Sequence, residues 1–226
     1  MWFASPDGRI FIVADGLGGH QAGEVAAREA SDYFLSSFLE IFPNTAQEPL
    51  TESQIVEKLK ACFRSTNKHV FMLAGGHELL RGMGTTMCVL SFHGSLVAIS
   101  HVGDSRVYLC RDGILEQLTV DHRWTRGMLF RAVSEEQMAK GFLTRAIGTL
   151  ADVEPTIRFV VSQPHDLFLL CTDGLSDLVS HEEIESALNR PLTLGERVRL
   201  LISQARQKGA ADNVTVVLAE VVDGDA

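Results

Sequence analysis

The sequence has no closely paired cysteines. Cys62, Cys88, Cys110 and Cys171 show no CxxC spacing, and three of them lie inside apolar runs. That argues against a thiolate metal site and for buried, reduced thiols. The eight histidines include no HxH or HxxxH pair, so an imidazole-rich site is not indicated either. The longest apolar stretches, such as 214-VTVVLAEVV-222, are too short and too interrupted to cross a bilayer. No charged start followed by an apolar run marks a secretion signal, and no repeat, linker or low-complexity segment stands out. Positive charge is scarce: 20 Lys and Arg against 29 Asp and Glu give a formal net charge of -9. A non-specific nucleic-acid binder needs the opposite balance. A soluble, cytoplasmic protein is the expectation.

The residues that are present suit one folded domain. The chain has 226 residues, 46% of them hydrophobic, enough for a sizeable core in a single domain spanning 1–226. Residues 9-RIFIVAD-15 read as a strand between turn signals. From Gln21 to Ile41 apolar residues recur at helical spacing. Thr51 with Gln54 forms a capping box at the start of a second helix, which the Gly75-Gly76 pair stops. The runs 86-TMCVLSF-92, 95-SLVAISHV-102, 105-SRVYLC-110 and 114-ILEQL-118, separated by short Gly- and Asp-containing breaks, predict an antiparallel meander. Residues 121–142 read as a polar surface excursion, partly helical from Ser134 to Lys140. Strands return at 156–161 and 166–172. Two capped helices come next (Ser180 with Glu183, Thr193 with Glu196), and a last strand covers 213–221. Strands and helices are segregated, which favours α+β: two stacked, mainly antiparallel sheets, each covered outside by helices.

Three aspartates occupy equivalent places. Asp15 ends an apolar strand and precedes Gly16; Asp173 ends another and precedes Gly174; Asp212 precedes the final strand. In an antiparallel arrangement all three could meet at one rim. A carboxylate cluster without His or Cys is a hard-oxygen site that selects Mg²⁺ or Mn²⁺. Two such ions about 3.5–4 Å apart can lower the pKa of a shared water and hold a phosphoryl group for in-line attack. Yet Asp-Gly is also a common turn, and spacing alone does not separate the two meanings.

The surrounding motifs decide the direction. They are 14-ADGLGGHQAGE-24, 84-GTT-86, 101-HVGDSR-106, 119-TVDH-122, 143-LTRAIG-148, 172-TDGLSD-177 and 212-DNVT-215. In this order, over nearly the whole chain, they resemble the metal-dependent protein phosphatase family, the type 2C serine/threonine phosphatases, in their bacterial form. The resemblance implies a phosphoserine/phosphothreonine phosphatase using two Mn²⁺ or Mg²⁺ ions, with phosphorylated proteins as substrates and a Ser/Thr kinase as functional partner. Asp15 would bridge both ions, Gly16 would lend its carbonyl to one, and Asp173 and Asp212 would bind the other. Asp104 matches a position that in bacterial members helps hold a third, weaker ion; a turn cap between strands is its other reading. Gly18 and Gly19 would let backbone approach the metal waters, and 84-GTT-86 would support the sheet. Residues 123–142 match the flap beside the active site. His20 reads as a general acid or as a hydrogen bond at a helix start, since Leu17 stands where eukaryotic relatives carry a candidate acid.

One part of the pattern is missing. The family begins with a strand carrying a phosphate-binding Arg, then an Asn-(Glu/Gln)-Asp segment, and 1-MWFASPDG-8 resembles the stretch just after that segment. Loss of a guanidinium fork weakens an oriented phosphate contact, and loss of a strand leaves a sheet edge. Arg9, Arg123, Arg126 and Arg145 are candidate replacements or ordinary surface arginines. The alternatives to an active phosphatase are therefore a catalytically weak, partner-binding domain and a hydrolase of small phosphate esters.

Overall fold

In the computed structural model, residues 1–18, 20–43, 49–124 and 142–222 are described. The chain runs β1 (Trp2–Ala4), β2 (Ile10–Val13), β3 (Gly16–Leu17), α1 (His20–Ile41), α2 (Glu52–Gly76), β4 (Gly84–Thr85), β5 (Met87–His93), β6 (Leu96–Val102), β7 (Arg106–Arg111) and β8 (Ile114–Gln117). It continues through β9 (Thr156–Val161), β10 (Leu167–Cys171), α3 (Asp173–Ser176), α4 (His181–Leu188), α5 (Leu194–Gln207) and β11 (Val216–Glu220). The predicted excursion over 121–142, with its helix from Ser134 to Lys140, lies outside the described residues except for its two ends.

The strands form two antiparallel sheets, ordered β1-β2-β5-β6-β9 and β11-β10-β7-β8, plus the small pair β3-β4. The strand period of two builds the layers. In β10, Phe168 and Leu170 point into the space between the sheets, against Leu90, Val97 and Ile99 of the facing sheet. Leu167, Leu169 and Cys171 point the other way and pack under Ile184, Leu188 and Leu201 of α4 and α5. On the first sheet, Ile10, Ile12 and Val89 face Phe34, Phe38, Leu59 and Phe63 of α1 and α2. Each sheet is therefore buried on both faces. The result is an α-β-β-α sandwich, as the segregated pattern predicts.

The helices begin where their caps are written. Thr51, Ser180 and Thr193 each accept from the backbone N–H three residues on, and the residue there answers with its own side chain. Two expectations need correction. The runs over 86–118 are not one meander: β5-β6 and β7-β8 are hairpins in different sheets, and the chain changes sheet at Gly103-Asp104-Ser105. β9 and β10 are split between the sheets in the same way. The last strand starts at Val216 rather than 213, so Asp212 sits in the loop after α5.

Candidate metal centre

Asp15 lies just past β2 and is fixed through its backbone. Its N–H donates to Thr86 Oγ1 at 3.1 Å. Its carbonyl accepts from the Thr86 N–H at 2.8 Å and from Thr85 Oγ1 at 2.7 Å. The 84-GTT-86 segment thus holds the aspartate rather than any ligand, and leaves its carboxylate uncommitted. Gly16 is the next residue, in β3, paired with Thr85. A Cβ there would lie 2.0 Å from the Gly23 carbonyl oxygen, so the first turns of α1 press on this residue and only glycine fits.

Asp173 opens α3 at the end of β10. Gly174 plays the part of Gly16: a Cβ would meet the Asn213 carbonyl oxygen at 2.5 Å. Thr172 Oγ1 donates to that same oxygen at 3.1 Å and accepts from the Thr215 N–H at 3.0 Å. The loop carrying Asp212 is therefore stitched to the strand end carrying Asp173. Asp212 itself is exposed, with Oδ1 accepting from the Asn213 N–H at 2.7 Å.

The three carboxylates are close enough to govern one another's charge. Burial, then the charges of Asp173 and Asp212, push the Asp15 carboxyl up to about 7. Burial also raises Asp173; Arg123 pulls it back, while Asp177 and Asp212 add to the rise. Asp173 Oδ1 is buried with no hydrogen-bond partner. Two ionised carboxylates are both acceptors, so the Asp15–Asp173 pair has no donor to share unless one carries a proton. A hard divalent cation fits this donor set: it satisfies the orphaned oxygen and cancels the repulsion. Asp15, Gly16 and Asp212 line a cavity of about 930 Å³ with Gln21, Glu24 and Arg28. Among the described residues, no three His, Cys, Asp or Glu side chains already close around one point at ion-binding spacing; the carboxylates share a rim without a finished cage.

Asp104 lies at the sheet crossover and is buried. It is engaged by Arg123 Nε, and the same guanidinium reaches Asp173 Oδ2 at 2.5 Å and Asp177 Oδ2 at 3.2 Å. Burial pushes the Asp104 carboxyl above its ordinary range, against the pull of Arg123. Sequence reasoning misses Asp177 as an individual site residue, although it sits one helical turn after Asp173, just past the end of α3. It also does not single out Glu24, Arg28 and Asn213, which line the cavity, although Glu24 and Asn213 stand inside quoted motifs.

The remaining motif residues are structural. Arg106 clamps Asp121 through Nε at 2.9 Å and Nη2 at 2.7 Å, joining 101-HVGDSR-106 to 119-TVDH-122. His122 stacks on His101 with ring centroids 4.5 Å apart and accepts from the Gly103 N–H at 3.2 Å. Burial, with His101 and Arg145 nearby, pushes it down to about 4, so it is neutral at pH 7. Arg9 pairs with Asp7 at the far end of β2. Arg145 contacts His122 and the Glu154 carbonyl, and Arg123 is spent on carboxylates. Arg123 is thus engaged by three acids, whereas Arg145 is exposed and engages through Nη1. Arg126 and Gly19 lie outside the described residues. His20 begins α1, but its side chain is outside the description.

Comparison with known proteins gives one answer. The protein phosphatase 2C family model matches residues 1–218. The serine/threonine phosphatase stp of Listeria monocytogenes is 38% identical over 216 residues, covering 93% of this chain and 84% of that one. A crystal structure of the Mycobacterium tuberculosis serine/threonine phosphatase PstP/Ppp superposes with a TM-score of 0.80 at 33% identity, over 98% of this chain and 91% of that one. A structure of the PstP catalytic domain in complex with two manganese ions gives a TM-score of 0.79 at 36% identity, over 99% and 91%.

Proposed function

Because this chain belongs to the protein phosphatase 2C family, we propose that it hydrolyses phosphoserine and phosphothreonine in proteins, with Asp15, Gly16, Asp173 and Asp212 holding the divalent cations. The two-manganese relative supports Mn²⁺ or Mg²⁺ as cofactor. The observation that carries the site assignment is the Asp15–Asp173 pair: two facing carboxyls, one oxygen buried without a donor, and a third carboxylate within electrostatic reach.

Bound Mn²⁺ or Mg²⁺ supplies a Lewis acid that polarises phosphoryl oxygens and ionises water near neutral pH. The chain's own residues do the positioning. Thr85 and Thr86 fix the Asp15 backbone while its carboxylate stays available. The Gly16–Gly23 contact sets where the Gly16 carbonyl lies relative to Asp15. The Thr172–Asn213–Thr215 stitch ties the Asp212 loop to Asp173. The cavity beside Asp15 and Asp212 is open to a phosphorylated side chain.

We read residues 1–226 as one catalytic domain. Its substrates would be the products of a Ser/Thr kinase, and a cytoplasmic location accompanies that reading. Among the described residues no helix is long and apolar enough to cross a membrane.

The test is hydrolysis of a phosphothreonine peptide with and without Mn²⁺. Turnover should need the metal and should vanish in Asp15→Ala and Asp173→Ala. Full activity in excess chelator would sink the reading. Mn²⁺ uptake without turnover would favour a partner-binding domain instead.

A further inference from the structure

The family resemblance does not anticipate where Arg123 is placed. Its guanidinium sits between three carboxylates that come from separate parts of the chain: Asp104 at the sheet crossover, and Asp173 and Asp177 at the two ends of α3. Each of its three nitrogens serves a different acid.

The placement is built, not incidental. Arg106 holds Asp121 two residues upstream with a bidentate pair. The His122 N–H donates to the Gly103 carbonyl at 2.9 Å, and His122 Nδ1 accepts from the Gly103 N–H. Downstream, Arg123 bridges to Leu143, and the Trp124 N–H donates to the Phe142 carbonyl at 2.9 Å. The backbone of Arg123 is thus pinned on both sides, and its side chain is 22% exposed.

We propose that Arg123 is a resident cation that occupies the place where Asp104 and Asp173 would otherwise share a third divalent ion. Asp104 is then an anchor for arginine, not a metal ligand. This rests on the two-metal phosphatase reading above and narrows it: the chain takes up two divalent ions and has no third site. The distribution of charge agrees. One guanidinium spreads a single positive charge over three carboxylates, and Asp173 divides its oxygens, Oδ2 to Arg123 and Oδ1 without a partner. Arg123 therefore also positions the oxygen that Asp173 offers to the remaining ions. The guanidinium stands between Asp104 Oδ2 and Asp173 Oδ2, the position an ion bridging these two carboxylates through those oxygens would take.

The experiment is Mn²⁺ uptake by the full chain, counted by equilibrium dialysis with the free ion read by paramagnetic resonance. Wild type should bind two ions, and Asp104→Asn should bind the same two. Arg123→Ala should bind those two plus a third, weaker one, and Arg123→Ala combined with Asp104→Asn should lose the third again. A third ion in wild type that Asp104→Asn removes would overturn the proposal; so would an Arg123→Ala protein that folds, by circular dichroism, and still binds only two. If Arg123→Ala does not fold, the wild-type and Asp104→Asn counts decide alone. Binding of no ion at all by wild type would refute the two-metal reading itself, an outcome distinct from a count of three.

Discussion

Gly16→Ala isolates the contact on which the geometry at Asp15 depends. The added methyl would lie 2.0 Å from the Gly23 carbonyl oxygen and 2.2 Å from its carbon, whereas real Cβ atoms essentially never come within 3.0 Å of another heavy atom. The two backbones must therefore separate by about 1 Å. That shift cannot be absorbed locally, because α1 is locked to α2 and the first sheet through buried Phe34, Phe38 and Phe63, and close-packed interiors resist such moves. Overpacking of this kind costs about 3 kcal/mol. For a domain of this size that lowers Tm by roughly 6–12 °C. Gly23→Ala is the internal control. Its methyl would stand 2.8 Å from the Gly16 carbon, about 0.2 Å inside the same limit, and it gains up to about 1 kcal/mol of helix propensity. Thermal unfolding without metal should thus show a large loss for Gly16→Ala and a distinctly smaller one for Gly23→Ala. Calorimetric titration should show Mn²⁺ binding at least roughly tenfold weaker for Gly16→Ala, since metal-site donors tolerate displacements well under 1 Å. Equal melting temperatures for the two variants would refute the claim that direct backbone contact dictates glycine at position 16.

The same geometry has other measurable consequences. In the metal-free protein Asp15 keeps its proton up to about pH 7, whereas the ordinary value is 3.8. The fold therefore holds a proton that the unfolded chain has released across that window, and metal-free stability should fall as pH rises from about 4 to 7. Denaturation in chelator across that range should show the slope, and Asp15→Asn should flatten it; an unchanged slope in the variant would count against the carboxylate cluster. At an Mn²⁺ concentration near 100 times Kd, binding adds about 2.7 kcal/mol, a rise of roughly 5–10 °C in Tm that Asp212→Asn should largely abolish. Arg106→Leu leaves Asp121 without its bidentate partner, in a pair about one-fifth exposed, and should cost roughly 2–3 kcal/mol in chemical denaturation. A loss below about 0.5 kcal/mol would mean that this clamp does not hold the 119–124 segment.

How much of this was written in the sequence depends on range. Each capping box identified by its residues, Thr51 with Gln54, Ser180 with Glu183 and Thr193 with Glu196, is formed, because a cap is a contact across three residues. Strand existence was equally legible. Sheet membership was not: Leu167–Cys171 is buried on both faces, so its composition carries no alternation, and nothing local tells β6 and β7 that they belong to different layers. The four-residue α3 is too short for any periodic signal. At the site, the strand-end Asp-Gly pairs made Asp15 and Asp173 candidates, and only the ordered motifs around them gave the candidates a role. The reason for each glycine was not legible, since Gly16 meets Gly23 and Gly174 meets Asn213 only once the chain has folded. Arg123 joins acids 19 and 50 residues away in the chain, and no spacing rule reaches that far.

The aspartates of this protein divide by what satisfies them, and the division separates scaffold from site. Asp166 accepts Arg111 through both oxygens and also takes the Gln163 N–H. Asp121 takes the Arg106 fork. Each is a completed ion pair, in which a cation would have to displace a guanidinium. The bonds that fix Asp15 run instead through its backbone, and Asp173 keeps one buried oxygen without a donor. A fold that gathers like charges and leaves them unsatisfied gives up stability at that point. It recovers that stability only when a cation arrives. On the proposal made above for Arg123, Asp104 falls on the scaffold side of the line. The metal set proposed for this chain is then Asp15, Gly16, Asp173 and Asp212.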